Sequence, residues 1–229
     1  MYLLRRLNES LPTIKYLAGY ENDTHSNIIW NEEAGWFGYT CENYVHFSRD
    51  LHLVYTSTYH FKVIIEFLRE ERFQKVITLS DYLSVMKLSP DKEFIAVGSA
   101  TMDQQMLAVI CIISTYNFSP LFTLKLHDRG VQDFEFSTDS KYLVSCGNFK
   151  ENRVVVWNLK DQAPLAHSKL PHKINEVKIM PKNLQEKNII EFVTIGGEQL
   201  TYWSLNKENQ LSRFAVFFTP VTNLTIPAN

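Results

Sequence analysis

Metal-capable side chains concentrate in one short stretch of this 229-residue sequence. Cys41, His46, His52 and His60 follow one another at spacings of five, six and eight residues. Structural zinc sites usually pair their ligands across gaps of roughly two to five residues. The spacings match no such template, so we interpret these side chains as polar positions on strands. We expect the protein to hold no metal and no cofactor.

Nucleophiles and paired acids give equally little support for catalysis. The sequence contains no Gly-x-Ser-x-Gly, no glycine-rich phosphate loop and no His-Glu-x-x-His motif. Cys111 and Cys146 fall in apolar runs, which are typical of buried, unreactive thiols. The acid pair Glu32-Glu33 falls in a predicted turn, where solvated charge is the default. We therefore predict that the protein is not an enzyme.

Composition argues against nucleic-acid and membrane partners. The net charge is −2, and no run of five or more Lys or Arg residues occurs. The longest apolar run, 106–113, is far shorter than the ~20 residues of a membrane-spanning helix. The N-terminal residues lack the pattern of a signal peptide. We expect a cytoplasmic or cytoskeletal protein without nucleic-acid or membrane partners.

A repeating pattern of short strands organises the second half of the sequence. Apolar runs of about six residues alternate with polar turns. Ser89 and Ser137 occupy the same place in successive units and lie 48 residues apart, and Trp157 and Trp203 lie 46 residues apart. Four-stranded units recurring every 40 to 45 residues or so are typical of β-propeller blades. The pattern predicts an all-β fold of antiparallel, four-stranded blades.

Four blades fit the length, in a single partial propeller domain spanning residues 1–229. The blades are predicted at about 83–126, 131–170 and 174–218, with an irregular N-terminal one at 13–79. Within the irregular blade, residues 41–60 are either an insertion or an extra pair of strands. Residues 61–79 fit a hairpin better than an amphipathic helix, because Val63, Ile64 and Ile65 favour strand.

The residues from Leu126 to Asn158 resemble the WD repeat (WD40). The stretch contains Leu126-His127-Asp128, Val131 to Ser137, Leu143-Val144-Ser145 and Val154 to Asn158, in that order. The resemblance implies a WD40-type β-propeller with a buried, hydrogen-bonded structural tetrad. Its members would be His127, Ser145, Trp157 and Glu151, with glutamate where the family has aspartate. His172 and Trp203 would be the weaker counterparts in the next blade.

Residues 140–147 and 153–159 are also similar to the large ciliary and centriolar WD-repeat proteins. That resemblance implies a non-catalytic scaffold in the cilium or flagellum axoneme, binding tubulin or other axonemal proteins. A related group, the kinase-binding scaffolds of centrosome and spindle pole, implies a signalling adaptor as the alternative.

Four blades are fewer than most closed propellers have. We therefore expect a partner, or another segment, to complete or cap the ring. Loop tips are the usual contact points of such folds. The candidate partner contacts are Arg129, Asn148, Phe149, Lys150, Tyr116 and Phe118.

Overall fold

A computed structural model describes residues 16–18, 28–41, 44–47, 53–55, 61–67, 74–79, 82–100, 107–181, 190–196 and 199–217. Every regular element in these ranges is a β-strand. The strands form four antiparallel four-stranded sheets and one three-stranded sheet. The prediction of an all-β fold built from four-stranded blades is confirmed.

Blade 1 is interrupted by a separate small sheet. The blade consists of β2 (Ile28–Asn31), β3 (Trp36–Cys41), β6 (Phe61–Phe67) and β7 (Gln74–Leu79). The small sheet consists of β1 (Tyr16–Ala18), β4 (Tyr44–Phe47) and β5 (Leu53–Tyr55), in the order β1-β4-β5. Between β3 and β6, the described residues Tyr44–Phe47 and Leu53–Tyr55 pair as antiparallel strands. The hairpin preferred for residues 61–79 is present as β6 and β7.

Blades 2 to 4 are regular and follow the chain. Blade 2 consists of β8 (Tyr82–Leu88), β9 (Phe94–Ala100), β10 (Ala108–Ser114) and β11 (Pro120–His127). Blade 3 consists of β12 (Val131–Phe136), β13 (Tyr142–Gly147), β14 (Arg153–Asn158) and β15 (Ala163–Lys169). Blade 4 consists of β16 (Glu176–Ile179), β17 (Ile190–Gly196), β18 (Gln199–Leu205) and β19 (Leu211–Phe217).

Apolar cores lie between neighbouring blades. The first strands β2, β8, β12 and β16 pack side by side, so they form the inner edge of the arrangement. Between blades 1 and 2 lies a cluster that includes Ile65, Met86 and Ile113. Successive side chains of a strand point to opposite faces, so each blade between two others is apolar on both faces. The described blades form an open arc rather than a closed ring.

Equivalent turns confirm the repeat seen in the sequence. In blade 2 the Ser89 hydroxyl donates to Asp91 Oδ1 at 2.6 Å, and in blade 3 the Ser137 hydroxyl donates to Asp139 Oδ1 at 2.7 Å. The two turns touch, because Asp91 N–H donates to the Ser140 hydroxyl. The same side-chain hydrogen bonds therefore close the same turn in both blades.

Candidate functional site: a buried tetrad and the loops above it

Blade 3 brings the four predicted tetrad side chains together. His127 ends β11, Ser145 lies in β13, Glu151 lies in the turn after β13, and Trp157 lies in β14. His127 Nε2 is 2.7 Å from Ser145 Oγ, and His127 Nδ1 is 3.1 Å from Glu151 Oε1. The Trp157 indole N–H donates to Ser145 Oγ at 2.8 Å. All four residues are buried, so the chain of hydrogen bonds is sheltered from water.

One arrangement of protons satisfies every member of this chain. Ser145 Oγ accepts from the indole of Trp157, which leaves its own hydroxyl proton for His127 Nε2. His127 Nδ1–H then donates to the Glu151 carboxylate. Buried polar groups need partners, and a fully satisfied network holds its elements in one arrangement. Both imidazole nitrogens are occupied by the fold, so the geometry supports a structural role.

Glu151 ties the tetrad to the loop between β11 and β12. Its Oε2 accepts from Asp128 N–H at 2.8 Å, and its Oε1 lies 3.3 Å from Arg153 Nε. Arg153 also pairs with Asp128 at 3.1 Å. Burial works to raise the pKa of Glu151, but the hydrogen bond from His127, the amide of Asp128 and the nearby positive charge together lower it below 4.5. Gly147 packs against this carboxylate, since a Cβ there would lie 2.8 Å from Glu151.

The lowered pKa of Glu151 predicts an acid-sensitive contribution to stability. A carboxyl group with a depressed pKa in the folded state stabilises the fold above its unfolded pKa and loses that contribution as pH falls through the folded value. We expect the Glu151 contribution to be present above the ordinary carboxyl pKa and to be lost as pH falls through the lower pKa of the folded state. Urea unfolding at pH 3 to 7, about one unit apart, measures this. Glu151→Gln should make the decrease in the free energy of unfolding at low pH smaller. A decrease that is unchanged by this substitution would contradict the assignment.

Blade 4 keeps half of the tetrad. The Trp203 indole N–H donates to Thr194 Oγ1 at 3.0 Å, and both residues are buried. Thr194 was not predicted from the sequence, and it takes the place that Ser145 has in blade 3. His172, the predicted counterpart of His127, is half-buried in the loop before β16.

A second polar contact joins three blades at their inner strands. The buried carboxylate of Asp133 in β12 lies 2.9 Å from Lys87 Nζ in β8. Its other oxygen accepts from Val177 N–H in β16 at 2.9 Å. Glu135 Oε2 lies 2.9 Å from Lys87 Nζ and 3.4 Å from Lys178 Nζ. These charges fix the relative position of blades 2, 3 and 4.

The two cysteines whose side chains the structure describes, Cys111 and Cys146, lie in the cores, as expected. Burial raises the pKa of the Cys111 thiol to about 11. Burial raises the pKa of the Cys146 thiol further, and the charge of Asp133 adds to this. Because the thiolate is the reactive form, we expect neither thiol to react with iodoacetamide at pH 8 in the folded chain. Peptide mapping by mass spectrometry should find both labelled only after unfolding; labelling of the native chain at either site would contradict the buried positions.

The structure separates the candidate contact residues onto two opposite faces. The loop surface beside the tetrad, called here the tetrad face, is made by loops 128–130, 148–152 and 170–175. Asn148 N–H donates to Gly130 O at 2.9 Å, which places Arg129 next to Asn148, Phe149 and Lys150 on this face. Tyr116 lies on the opposite face, beside the Glu93 turn, with 95% of its surface exposed.

Phe118 differs from the exposed aromatic that we expected at this turn. It is only 8% exposed, and its ring packs edge-on against Trp36 of blade 1, with centroids 5.5 Å apart. Its φ of 54° turns the side chain inward. Phe118 therefore contributes to the core between blades 1 and 2 and is not available as a surface contact.

The structure does not describe the side chains of the metal-capable residues noted in the sequence. This applies to Cys41, His46, His52 and His60. In the rest of the described chain, no group of three or more metal-capable side chains converges. The described residues also contain no helix long and apolar enough to cross a membrane.

Comparison with known proteins identifies the class of fold. Residues 118–158 match the family model for the WD domain, G-beta repeat. The match runs from the outer strand of blade 2 through the first three strands of blade 3, the segment that contains the whole tetrad. Residues 118–158 thus match one WD40 repeat, and they lie within a β-propeller fold.

Among WD-repeat proteins, the chain is similar to WD repeat-containing protein 90 of Xenopus tropicalis, with 22% identity over 91% of this chain. It is 24% identical to Centriole proteome protein 16 of Chlamydomonas reinhardtii, again over 91% of the chain. The chain spans about 10% of the length of each of these relatives. The resemblance to centriolar WD-repeat proteins is confirmed at this level.

Solved structures agree on the fold. The structure of U3-55K matches with a TM-score of 0.60 and 14% identity, covering 90% of this chain and 56% of that one. The β-propeller domain of Cps50 (Swd1) from Myceliophteria thermophila matches with a TM-score of 0.50 and 16% identity, covering 60% of this chain and 40% of that one. At such identities these likenesses concern the fold alone.

Proposed function

We propose that this chain is a non-catalytic scaffold of a ciliary or centriolar assembly, and that it joins the assembly through the outer faces of blades 1 and 4. The observation that carries the proposal is the outer face of blade 4, which is apolar where the equivalent face of blade 3 is buried. The name of the Chlamydomonas relative supports the centriolar setting. Tubulin or another axonemal protein is the partner that we propose.

The two faces can be compared position by position. Val144 and Cys146 flank Ser145 in blade 3, and both are fully buried under blade 4. Val193 and Ile195 flank Thr194 in the same way, but Val193 is half-buried and Ile195 is 38% exposed. Equivalent apolar side chains are therefore buried in blade 3 and partly exposed to solvent in blade 4. Apolar faces of this kind are typical of interfaces.

Blade 1 also carries aromatic side chains on the side that points away from blade 2. Ile29 and Trp36 pack toward blade 2, so their strand neighbours Trp30 and Phe37 point the other way. The two rings stack with centroids 5.9 Å apart, and Trp30 remains 54% exposed. Both ends of the arc thus carry apolar side chains that a completing or capping partner would bury.

The experiment compares two variants in ciliated cells. Ile195→Glu places a charge on the open face of blade 4, and Leu121→Glu places one on the similarly exposed outer strand β11 as a control. We expect the wild-type chain and the control to stay with the detergent-resistant axoneme or centriole fraction. Ile195→Glu should move to the soluble fraction, because a buried charge at an interface opposes docking.

Three other results would count against the proposal. A wild-type chain in the soluble pool would contradict the scaffold, and equal behaviour of both variants would contradict docking through blade 4. Kinase co-purification without microtubule association would favour a signalling adaptor instead. Co-sedimentation of the purified chain with microtubules tests whether tubulin is the partner. If the chain does not co-sediment, another axonemal protein is the partner to test.

A further inference from the structure

We infer that the tetrad face is a second docking surface, and that it binds an acidic peptide segment carrying an apolar side chain. This inference rests on the proposed scaffold function and adds the chemistry of one partner. It concerns a surface separate from the open blade faces. Three features of the loops around the tetrad support it: their charge, their exposed aromatic ring and their rigidity.

Four basic side chains without an ion pair among the described residues lie on the tetrad face. Arg129, Lys150, Lys169 and Lys173 lie in its loops or at the adjoining strand end, and none forms an ion pair within the described residues. The loops are continuous: Leu170 N–H donates to Asn152 O at 2.9 Å, as Asn148 N–H does to Gly130 O. The four cations therefore belong to one surface.

Among the described residues, the acidic side chains Asp128, Glu151 and Glu176 on the same face are already engaged. Asp128 and Glu151 both pair with Arg153, and Glu176 pairs with Lys178 at 3.0 Å. The described loops of the opposite face carry an excess of negative charge. Its described loops carry more exposed carboxylates than lysines, with acidic side chains at Glu32, Glu33, Asp91, Glu93, Asp139, Asp161 and Glu208. Among the described loops, charge complementarity thus favours a negative ligand on the tetrad face.

Phe149 supplies the apolar part of the surface. Its side chain is 60% exposed at the tip of the loop between β13 and β14. Lys150 Nζ lies 5.7 Å from the ring centroid, so one face of the ring is occupied by the ammonium group. The edge and the other face remain for an aliphatic or aromatic contact. A peptide combining carboxylates with one apolar side chain fits both features, whereas stacking of successive bases would need a series of open rings.

The tetrad makes this surface rigid. Glu151 follows Phe149 and Lys150 in the turn, and it is held by His127, by Asp128 N–H and by Arg153. The other end of the turn is held by the hydrogen bond between Asn148 and Gly130. An ordered loop loses little entropy on binding, so its exposed side chains are effective contacts. The buried network thereby supports the docking surface.

The test measures binding of a fluorescent peptide of nine glutamates and one leucine to the full chain, by fluorescence anisotropy at low salt. We expect binding that weakens with added NaCl, as charge-driven association does. The double variant Arg129→Glu/Lys150→Glu should weaken it by on the order of tenfold or more. Phe149→Ala should weaken it for the leucine-containing peptide but leave a purely polyglutamate peptide unchanged.

Lys160→Glu, an exposed lysine on the opposite face of the same blade, is the matched control and should bind normally. Circular dichroism confirms that each variant is folded. Absence of peptide binding by the wild type, an equal loss in the control, or displacement of the peptide by a decathymidine oligonucleotide of higher affinity would overturn the inference. The readout needs only the folded chain, so it stays informative if the axonemal proposal fails.

Discussion

Replacing Trp157 with alanine should lower the free energy of unfolding by about 3–5 kcal/mol, the range for truncation of a large buried ring. Trp157 is fully buried between blades 2 and 3, and its indole N–H donates to Ser145. The substitution removes the packing of the ring and one member of the tetrad together. Urea unfolding followed by far-ultraviolet circular dichroism measures the loss without relying on tryptophan fluorescence.

Two further variants separate packing from hydrogen bonding. Trp157→Phe keeps an aromatic ring but removes the indole donor, so we expect a loss of about 1–3 kcal/mol. Trp30→Ala removes a ring of the same kind at a half-exposed position, and its effect should stay within about 1 kcal/mol. Equal losses for Trp157→Ala and Trp30→Ala would show that the tetrad tryptophan does not anchor blade 3.

Replacing Asp133 with alanine should destabilise the chain by about 3–5 kcal/mol, because it breaks a buried ion pair from one side. Lys87, whose side chain is only 15% exposed, would keep Glu135 alone as its acidic partner. Val177 N–H would also lose its acceptor in β12. The substitution leaves the Lys87 charge poorly compensated and the buried Val177 amide unpaired. It therefore weakens the contacts of blade 3 with both neighbouring blades.

Lys178→Met provides the control for Asp133. Lys178 shares Glu135 with Lys87, but half of its side chain is exposed, so its pairing should contribute less than about 1 kcal/mol. The double variant Lys87→Met/Asp133→Leu removes both charges and should be more stable than Asp133→Ala. A loss for Asp133→Ala no greater than that for Lys178→Met would contradict the inter-blade link.

The sequence predicted the tetrad of blade 3 but missed Thr194, and strand register explains the difference. Trp157 pairs with Leu143 across the hairpin, and Ser145 lies two residues further along β13. Trp203 pairs with Phe192, and Thr194 lies two residues further along β17. The geometry is the same, but the turn of blade 4 is shorter, so the separation along the chain changes. Only the register identifies the equivalent residue.

Long-range contacts involve residues whose partners the sequence does not reveal. Asp133 and Glu135 lie two residues apart in β12, a spacing that is typical of a polar strand face. The Asp133 partners Lys87 and Val177 belong to the preceding and following blades, and no local sequence pattern predicts these contacts. Phe118 was expected at the surface because it lies in a turn, but its positive φ directs it onto Trp36.

Size-exclusion chromatography with light scattering on residues 1–229, together with thermal unfolding, tests the central claim most directly. An arc of blades with apolar outer faces should self-associate or bind a hydrophobic dye, and Ile195→Glu should reduce both effects. A wild-type chain that is monomeric, binds no dye and unfolds in one sharp transition would contradict the claim, because its end faces would then need no partner.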